Sequence, residues 1–334
     1  DELTSRYQVD GLFFNAFGHR ERDREGTYYG PCHCEACRQR YRQRTGSELP
    51  PRFEPRTPEA QEHATFRVDT LKELARSIYR YVKERDPHIA VFSGAGARAI
   101  LDGYADATEI ELHAAPSSPP AGPRWRHAAG ESCRWVRTLG RGYASGINAV
   151  YCHVGPGVWR FVAAPPGWLT HTLAQAIANG GWPYVMCIGT PATQEDQSAL
   201  PAVRELFHFA REHAEYSRDL QSLSPIALIW PAGSTGGGAG QYGVERSRAH
   251  YQGWYSVLVA QHYLFDVIGD LQLDRAGVGA LLARYRLVIV PNAATLSAAA
   301  CDALDAFVHH GGALLATAET SLAHPDGRLR QGFG

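Results

Sequence analysis

Apolar and polar positions alternate along this chain in two textures. Up to about Leu223, short apolar runs trade places with longer stretches of helical period. Leu12, Phe13 and Phe14 form a strand-like run that ends at Asn15. Phe66, Leu71, Leu74, Ile78 and Val82 recur at helical spacing, which predicts a long helix over 62–85, stopped by Pro87. Further strands are expected over 89–92, 109–112, 147–153 and 184–188, and helices over 168–179 and 202–215. Gly180-Gly181 supplies the C-cap of the first of these two helices. Strand–helix alternation of this kind argues for a parallel sheet or barrel. Five strands are legible where a closed (β/α)8 barrel has eight. The opening residues Asp1–Thr4 read as the middle of a helix, so upstream sequence carrying the other strands is expected.

The second texture begins at Ser224-Pro225. Strands are predicted over 226–230, 265–268, 287–290 and 313–317, with helices over 247–261 and from a Ser297 cap to His309-His310. This is a doubly wound α/β pattern, and the expected domains are 1–222 and 223–334.

Composition narrows the possible functions. The chain has 334 residues, 44% hydrophobic and 20% charged, which excludes collagen-like and disordered classes. Lys+Arg is 33 and Asp+Glu 34, so the net charge of -1 gives no electrostatic case for nucleic acid or an anionic membrane. Lysine occurs only at Lys72 and Lys83. No apolar run approaches the roughly 20 residues that span a bilayer. Seven cysteines is an odd number, and three of them fall within six residues. That spacing suits a metal site or reduced thiols better than a disulfide framework, and points to a reducing compartment, the cytoplasm.

The cysteine cluster is the sharpest local signal. In Cys32-His33-Cys34-Glu35-Ala36-Cys37, three thiols on a loop entering a helix can reach one zinc ion at about 2.3 Å each. A structural zinc needs a fourth ligand, either the adjacent His33 or a residue upstream. No organic cofactor is expected. The 233–243 glycine run matches neither a Walker loop nor the dinucleotide fingerprint. Cys301 lies inside a helical pattern, a poor place for a nucleophile.

Strand ends carry the other candidates. In parallel barrels, polar residues at the C-terminal ends of strands face the active site. Asn15 occupies such an end, and the loop after it offers His19, Asp23 and Glu25. Glu109 and Glu111 share one face of the next acidic strand, and Glu111 is the candidate catalytic carboxylate. Glycoside hydrolysis needs two carboxyl groups, about 5–5.5 Å apart for retention and about 6.5–9.5 Å for inversion, so Asp23 or Glu25 is the expected partner. Asn148, His153, Trp159 and Arg160 suit sugar hydroxyls and sugar faces. Glu195-Asp196 reads as a loop cap.

These residues resemble a known group. The stretch 10–18, Tyr28-Tyr29-Gly30, the cysteine run to Arg38, Thr45-Gly46, Leu49-Pro50, then 174–180, 291–297, Gly311-Gly312 and 317–321 are similar to the hypothetical glycoside hydrolase 6 group. Its members are barrel proteins akin to family 42 β-galactosidases. The resemblance implies the C-terminal part of a TIM barrel. A doubly wound, flavodoxin-like domain of the class I glutamine-amidotransferase kind would follow it, serving trimerisation and lacking amidotransferase chemistry. It implies a zinc site at Cys32, Cys34 and Cys37, an oligosaccharide or glycoside substrate, and a homo-oligomer, a trimer by analogy. One departure matters. Family 42 enzymes carry an Asn-Glu pair at this strand end, and here the pair is Asn15-Ala16. The family's acid/base is therefore not inherited there. Glu111 takes the role in the leading reading, a glycoside hydrolase. The rivals are a catalytically inactive carbohydrate-binding or scaffold homologue, and an amidotransferase-like enzyme.

Overall fold

In the computed structural model, residues 2–14, 18–23, 27–54, 57–93, 103–111, 125–139, 143–149, 151–154, 159–187, 190–217, 220–231, 244–324 and 328–330 are described. The elements run α1 (Glu2–Arg6), β1 (Gly11–Phe14), α2 (Glu35–Thr45), α3 (Pro58–Arg85), β2 (Ala90–Ser93), β3 (Ala107–Glu111) and α4 (Ala128–Thr138). Then come β4 (Tyr143–Ala149), β5 (Tyr151–Val154), β6 (Trp159–Ala163), α5 (Pro166–Ala178), β7 (Trp182–Met186) and α6 (Leu200–Glu212). The remainder is β8 (Ile226–Trp230), α7 (Val244–Ala260), β9 (Phe265–Gly269), α8 (Val278–Leu282), β10 (Leu287–Pro291), α9 (Ala298–His309) and β11 (Ala313–Thr317).

The first sheet has the order β1-β2-β3-β4-β7, and every pair in it is parallel. Five successive parallel strands in chain order are a sector of a (β/α)8 barrel. Leu12, Phe14 and Val91 pack under Val82 and Ile78 of α3. Val185 packs with Leu169 of α5. The alternate positions form the other face. Phe13 and Phe92 are register partners with ring centroids 5.8 Å apart, and Phe92 also meets Trp182, at 6.2 Å. β2 and β7 are three strand steps apart, about 14 Å in a flat sheet at ~4.8 Å per step. Contact between their rings therefore reflects a sheet curled toward this face.

Helix α3 forms where the sequence predicts it. Thr57 caps it by accepting the Ala60 N–H at 3.2 Å, and Pro58 opens the first turn. Its buried stripe is Phe66, Leu71, Ala75 and Val82. Leu74, expected in that stripe, lies one residue round the helix and is exposed, while the smaller Ala75 takes the buried place. At the lower end of the sheet, Asp106 accepts the Val91 N–H and the Tyr79 hydroxyl and pairs with Lys83 at 2.8 Å. Burial pushes its carboxyl up, but Lys83 and these hydrogen bonds outweigh burial and hold it below the usual range.

Two other expectations needed change. The predicted strand over 147–153 is two strands, because β4 pairs parallel with β3 and β7 while β5 pairs antiparallel with β6. Helix α4, which is not among the expected helices, is regular and amphipathic.

The chain forms two compact units, Asp1–Ala129 with Leu139–Phe209, and Gly130–Thr138 with Ala210–Gly334. The second unit holds a parallel sheet ordered β11-β10-β8-β9. Ile229, Val288, Val290, Leu296, Leu304 and Phe307 build its core. The chain leaves α9 through Gly311, whose φ of 91° is the left-handed region that glycine adopts without strain. Gly312 is required by space, since a Cβ there would meet the Phe307 ring at 2.3 Å.

Helix α4 belongs to this second unit although it lies between β3 and β4 in sequence. Asp266 of β9 is fully buried. Its carboxylate pairs with Arg137 at 2.5 Å and accepts hydroxyls from Ser222 (2.8 Å), Ser224 (3.4 Å) and Tyr285 (3.0 Å). Arg134 donates to the Phe265 carbonyl and lies over its ring, 4.0 Å from the centroid. Trp135 Nε1 donates to Gln272 Oε1 at 2.8 Å, and its ring meets Trp230 edge-on at 5.2 Å. Removing one partner of a buried, hydrogen-bonded ion pair leaves the other charge uncompensated. Asp266→Ala is expected to lower the unfolding free energy by about 3–5 kcal/mol in urea titration, and Asp266→Asn, which keeps acceptors for the hydroxyls, by clearly less.

Candidate functional site

The C-terminal ends of the barrel strands and the loops above them hold the candidates. In the loop after β1, residues 21–23 pair with residues 27–29. Tyr29 N–H donates to the Glu21 carbonyl at 3.0 Å, Arg22 and Tyr28 form an antiparallel bridge, and Asp23 N–H donates to the Thr27 carbonyl. Asp23 Oδ1 accepts the Thr27 N–H at 2.7 Å, so this exposed carboxylate closes the turn with one of its oxygens. His19 is half-buried, and burial and then Arg67 lower its pKa. Asn15 and Glu25 lie outside the described residues.

Arg67 of α3 reaches back to this loop. It donates to Glu21 Oε2 at 2.9 Å and to the His19 carbonyl at 2.8 Å. His63, one turn earlier, is buried and stacks on Phe53 with centroids 4.2 Å apart. Burial, Arg67 and His19 drive its pKa down to about 4, so the imidazole is neutral at pH 7. Its Nδ1 lies 3.5 Å from Glu21 Oε1, an approach that becomes an ion pair only on protonation. The sequence gave no motif for Glu21, His63 or Arg67. They are brought together from 46 residues apart.

Glu111 is the last residue of β3, and Asn148 belongs to β4. Their side chains lie outside those described, as do those of His153, Trp159 and Arg160 on the β5–β6 hairpin. Backbone register is informative here. Ala107 pairs with Phe92, and Glu109 and Glu111 follow at period two, in the row of the curled aromatic face. Asn148 pairs with Val185, in the row that packs on α5. The hairpin's base is tied down by Asp196, whose Oδ2 accepts the Ala163 N–H at 2.9 Å and whose Oδ1 accepts from Ser198. Asp196 is thus a loop cap, as its sequence setting suggested.

The cysteines converge. The sulfurs of Cys32, Cys34 and Cys37 all lie within 4.8 Å of one another. Tetrahedral thiolates at ~2.3 Å from a zinc ion stand about 3.8 Å apart, so the three fit one metal with little adjustment. Cys34 is the N-cap residue of α2 and makes no capping hydrogen bond of ordinary geometry. The Cys37 N–H, then the neighbouring thiols and the Ala36 N–H, nevertheless favour its thiolate and lower its pKa. Burial and the other two sulfurs push Cys37 up to about 12. Cys37 packs against the small core of Tyr41, Leu49, Phe53 and Phe66. Cys32 and Cys34 are exposed.

Comparisons with known proteins bear on both units. Residues 230–333 match the family model of the beta-galactosidase trimerisation domain. No curated protein matches the chain. Among solved structures, a beta-galactosidase from Bacillus circulans sp. alkalophilus is similar at a TM-score of 0.65 and 15% identity, over 91% of this chain and 52% of that one. The alpha-L-fucosidase isoenzyme 2 from Paenibacillus thiaminolyticus is similar at 0.62 and 19%, over 94% of this chain and 43% of that one. A family 42 exo-carrageenase from Bacteroides ovatus is similar at 0.63 and 8%, over 89% and 47%. The chain spans about half the length of the structures it matches. At these identities the structures share the fold. The family match relates residues 230–333 to the beta-galactosidase trimerisation domain.

The depressed His63 pKa has a consequence for stability. The folded state resists protonating His63, while the unfolded chain takes up that proton near pH 6.5. Its contribution is complete above about pH 6.5 and is lost as pH falls toward 4, by at most about 3 kcal/mol. Urea titrations between pH 7 and 4.5 are expected to show this decline in the wild type and less of it in His63→Gln.

Proposed function

We propose that this protein is a carbohydrate-active barrel protein, a glycoside hydrolase cleaving O-glycosidic bonds by carboxylate acid/base catalysis. The observation that carries the reading is the match of residues 230–333 to a domain found in beta-galactosidases, joined to a barrel sector. Glu111 is the proposed general acid/base. Its register row on the aromatic face of the sheet supports a role at the strand ends. Asp23 or Glu25 is the proposed second carboxylate, and Asp23 keeps one oxygen beyond its Thr27 contact. Asn15, His19, His153, Trp159 and Arg160 are proposed to hold sugar; Asn148, whose register row is the one that packs on α5, is not carried into that set. A carboxyl group beside the glycosidic oxygen donates a proton to the leaving group, and its partner carboxylate activates water or attacks the anomeric carbon.

Zinc is the proposed metal at Cys32, Cys34 and Cys37, where it would fix the loop entering α2 structurally. Thiols of this kind suit a reducing compartment, and the cytoplasm is the proposed location. No helix among the described residues is long and apolar enough to cross a membrane. The proposed division of labour gives sugar chemistry to 1–222 and assembly of copies, as a trimer, to 223–334.

The second reading, a binding or scaffold homologue without turnover, is favoured by one observation: Ala16 stands where related enzymes carry their acid/base.

Hydrolysis of an aryl-glycoside and oligosaccharide panel is the deciding test. Glu111→Gln is expected to lower kcat by about 100-fold or more. Full activity in that variant refutes the assignment of Glu111. Binding of sugar without turnover by the wild type selects the second reading. Metal analysis of protein kept from chelators is expected to give about one zinc per chain, and Cys34→Ser with Cys37→Ser to lose it. Light scattering is expected to return a three-chain mass.

A further inference from the structure

We propose that Arg67 and Glu21 are positioning residues that set the orientation of the sugar-facing loop after β1. The proposal rests on the glycosidase reading, because His19 and Asp23 on that loop are its candidate site residues.

The two described arms of the loop are tied to each other: the Tyr29–Glu21 hydrogen bond, the Arg22–Tyr28 bridge and the two Asp23–Thr27 contacts pair residues 21–23 with 27–29. Holding either arm therefore constrains the other. At the far end the chain is held by shape. Gly30 has φ of 93°, and a Cβ there would meet the Pro51 carbonyl at 2.6 Å, so the backbone lies directly on that segment. At the near end the anchor is Arg67. Its two terminal nitrogens bond two different loop residues, Glu21 through the carboxylate and His19 through the carbonyl. The turn of α3 that carries Arg67 is itself fixed by the neighbouring Phe66, which is buried against Tyr41 and Leu49.

The pair is built as a clamp. The Glu21 side chain is only 16% exposed and that of Arg67 32%. Partial burial strengthens the charge-assisted hydrogen bonds and protects them from salt, unlike an exposed pair. Glu21 Oε1 lies 3.5 Å from Nδ1 of the buried His63, so the carboxylate is bracketed by two residues of α3 while its other oxygen meets Arg67. A lysine at 67 supplies a single point of donation and cannot bond both residues in the same way.

Hydrogen exchange on the whole protein, read by mass spectrometry, tests the clamp without any substrate. Arg67→Met is expected to speed exchange of amides in 19–29 by about tenfold, the loss of one or two charge-assisted hydrogen bonds, while β10 is unchanged. Arg67→Lys and Glu21→Gln are expected to fall between, and the Glu21→Gln, Arg67→Met double variant to add little to Arg67→Met. On any glycoside the wild type turns over, Arg67→Met is expected to raise KM about tenfold with kcat changed less than threefold, as for lost uniform binding. Unchanged exchange in 19–29 overturns the proposal. So does equal acceleration in β10, which marks a general loss of stability, and so does an unaltered KM beside a loosened loop. If Arg67→Met fails to fold, Arg67→Lys carries the same readouts. A wild type that turns over no glycoside sinks the glycosidase reading, and the exchange result then decides the clamp by itself.

Discussion

A single buried carboxylate organises the second unit. Asp266 sits fully buried on β9, where an unpaired charge would be untenable. It is held by Arg137 from α4, by Ser222 and Ser224 before β8, and by Tyr285 before β10. Three pieces of chain far apart in sequence are thereby fixed to one strand. Helix α4 is the unexpected member, because its sequence neighbours are β3 and β4 of the barrel sheet. The chain crosses from the first unit to the second and back within eleven residues of helix. β3, which ends at Glu111, is thus connected through the chain to a helix whose packing belongs elsewhere.

A comparable logic runs through the first unit on a smaller scale. Cys37 touches the cluster of Tyr41, Leu49, Phe53 and Phe66, and His63 lies in the same aromatic nest. His63 faces Glu21, Glu21 meets Arg67, and Arg67 holds the His19 carbonyl. A metal at the cysteines would stiffen the start of α2 and, through these packed rings, bear on the floor beneath the loop. The parts are small and individually weak. Their effect comes from contiguity, since close-packed side chains pass on displacement where loose ones absorb it.

Much of the architecture was legible in the linear pattern. Continuous apolar runs such as 287–290 could only be buried parallel strands, and β10 lies in the core of its sheet. Ser297 and Gly311-Gly312 bounded α9 where capping chemistry says they should. The cysteine spacing pointed to three converging sulfurs, and they converge. Legibility failed where neighbours far away in sequence decide the outcome. On α3, Leu74 is exposed and Ala75 buried, a choice the apolar spacing alone did not make. The expected strand over 147–153 divides because β4 pairs parallel with β3 and β7 while β5 pairs antiparallel with β6.

The sequence by itself determined most local elements, the α/β class and the metal-ligand spacing, since each depends on residues within about one helix or strand of one another. Tertiary structure alone decided which unit owns α4, which side chains meet Asp266, and that Arg67 reaches Glu21 and His19 across 46 to 48 residues. The physical reason is range. Backbone propensity and periodicity act over a few residues, whereas satisfying a buried charge requires whichever opposite charge the folded chain brings within hydrogen-bond distance.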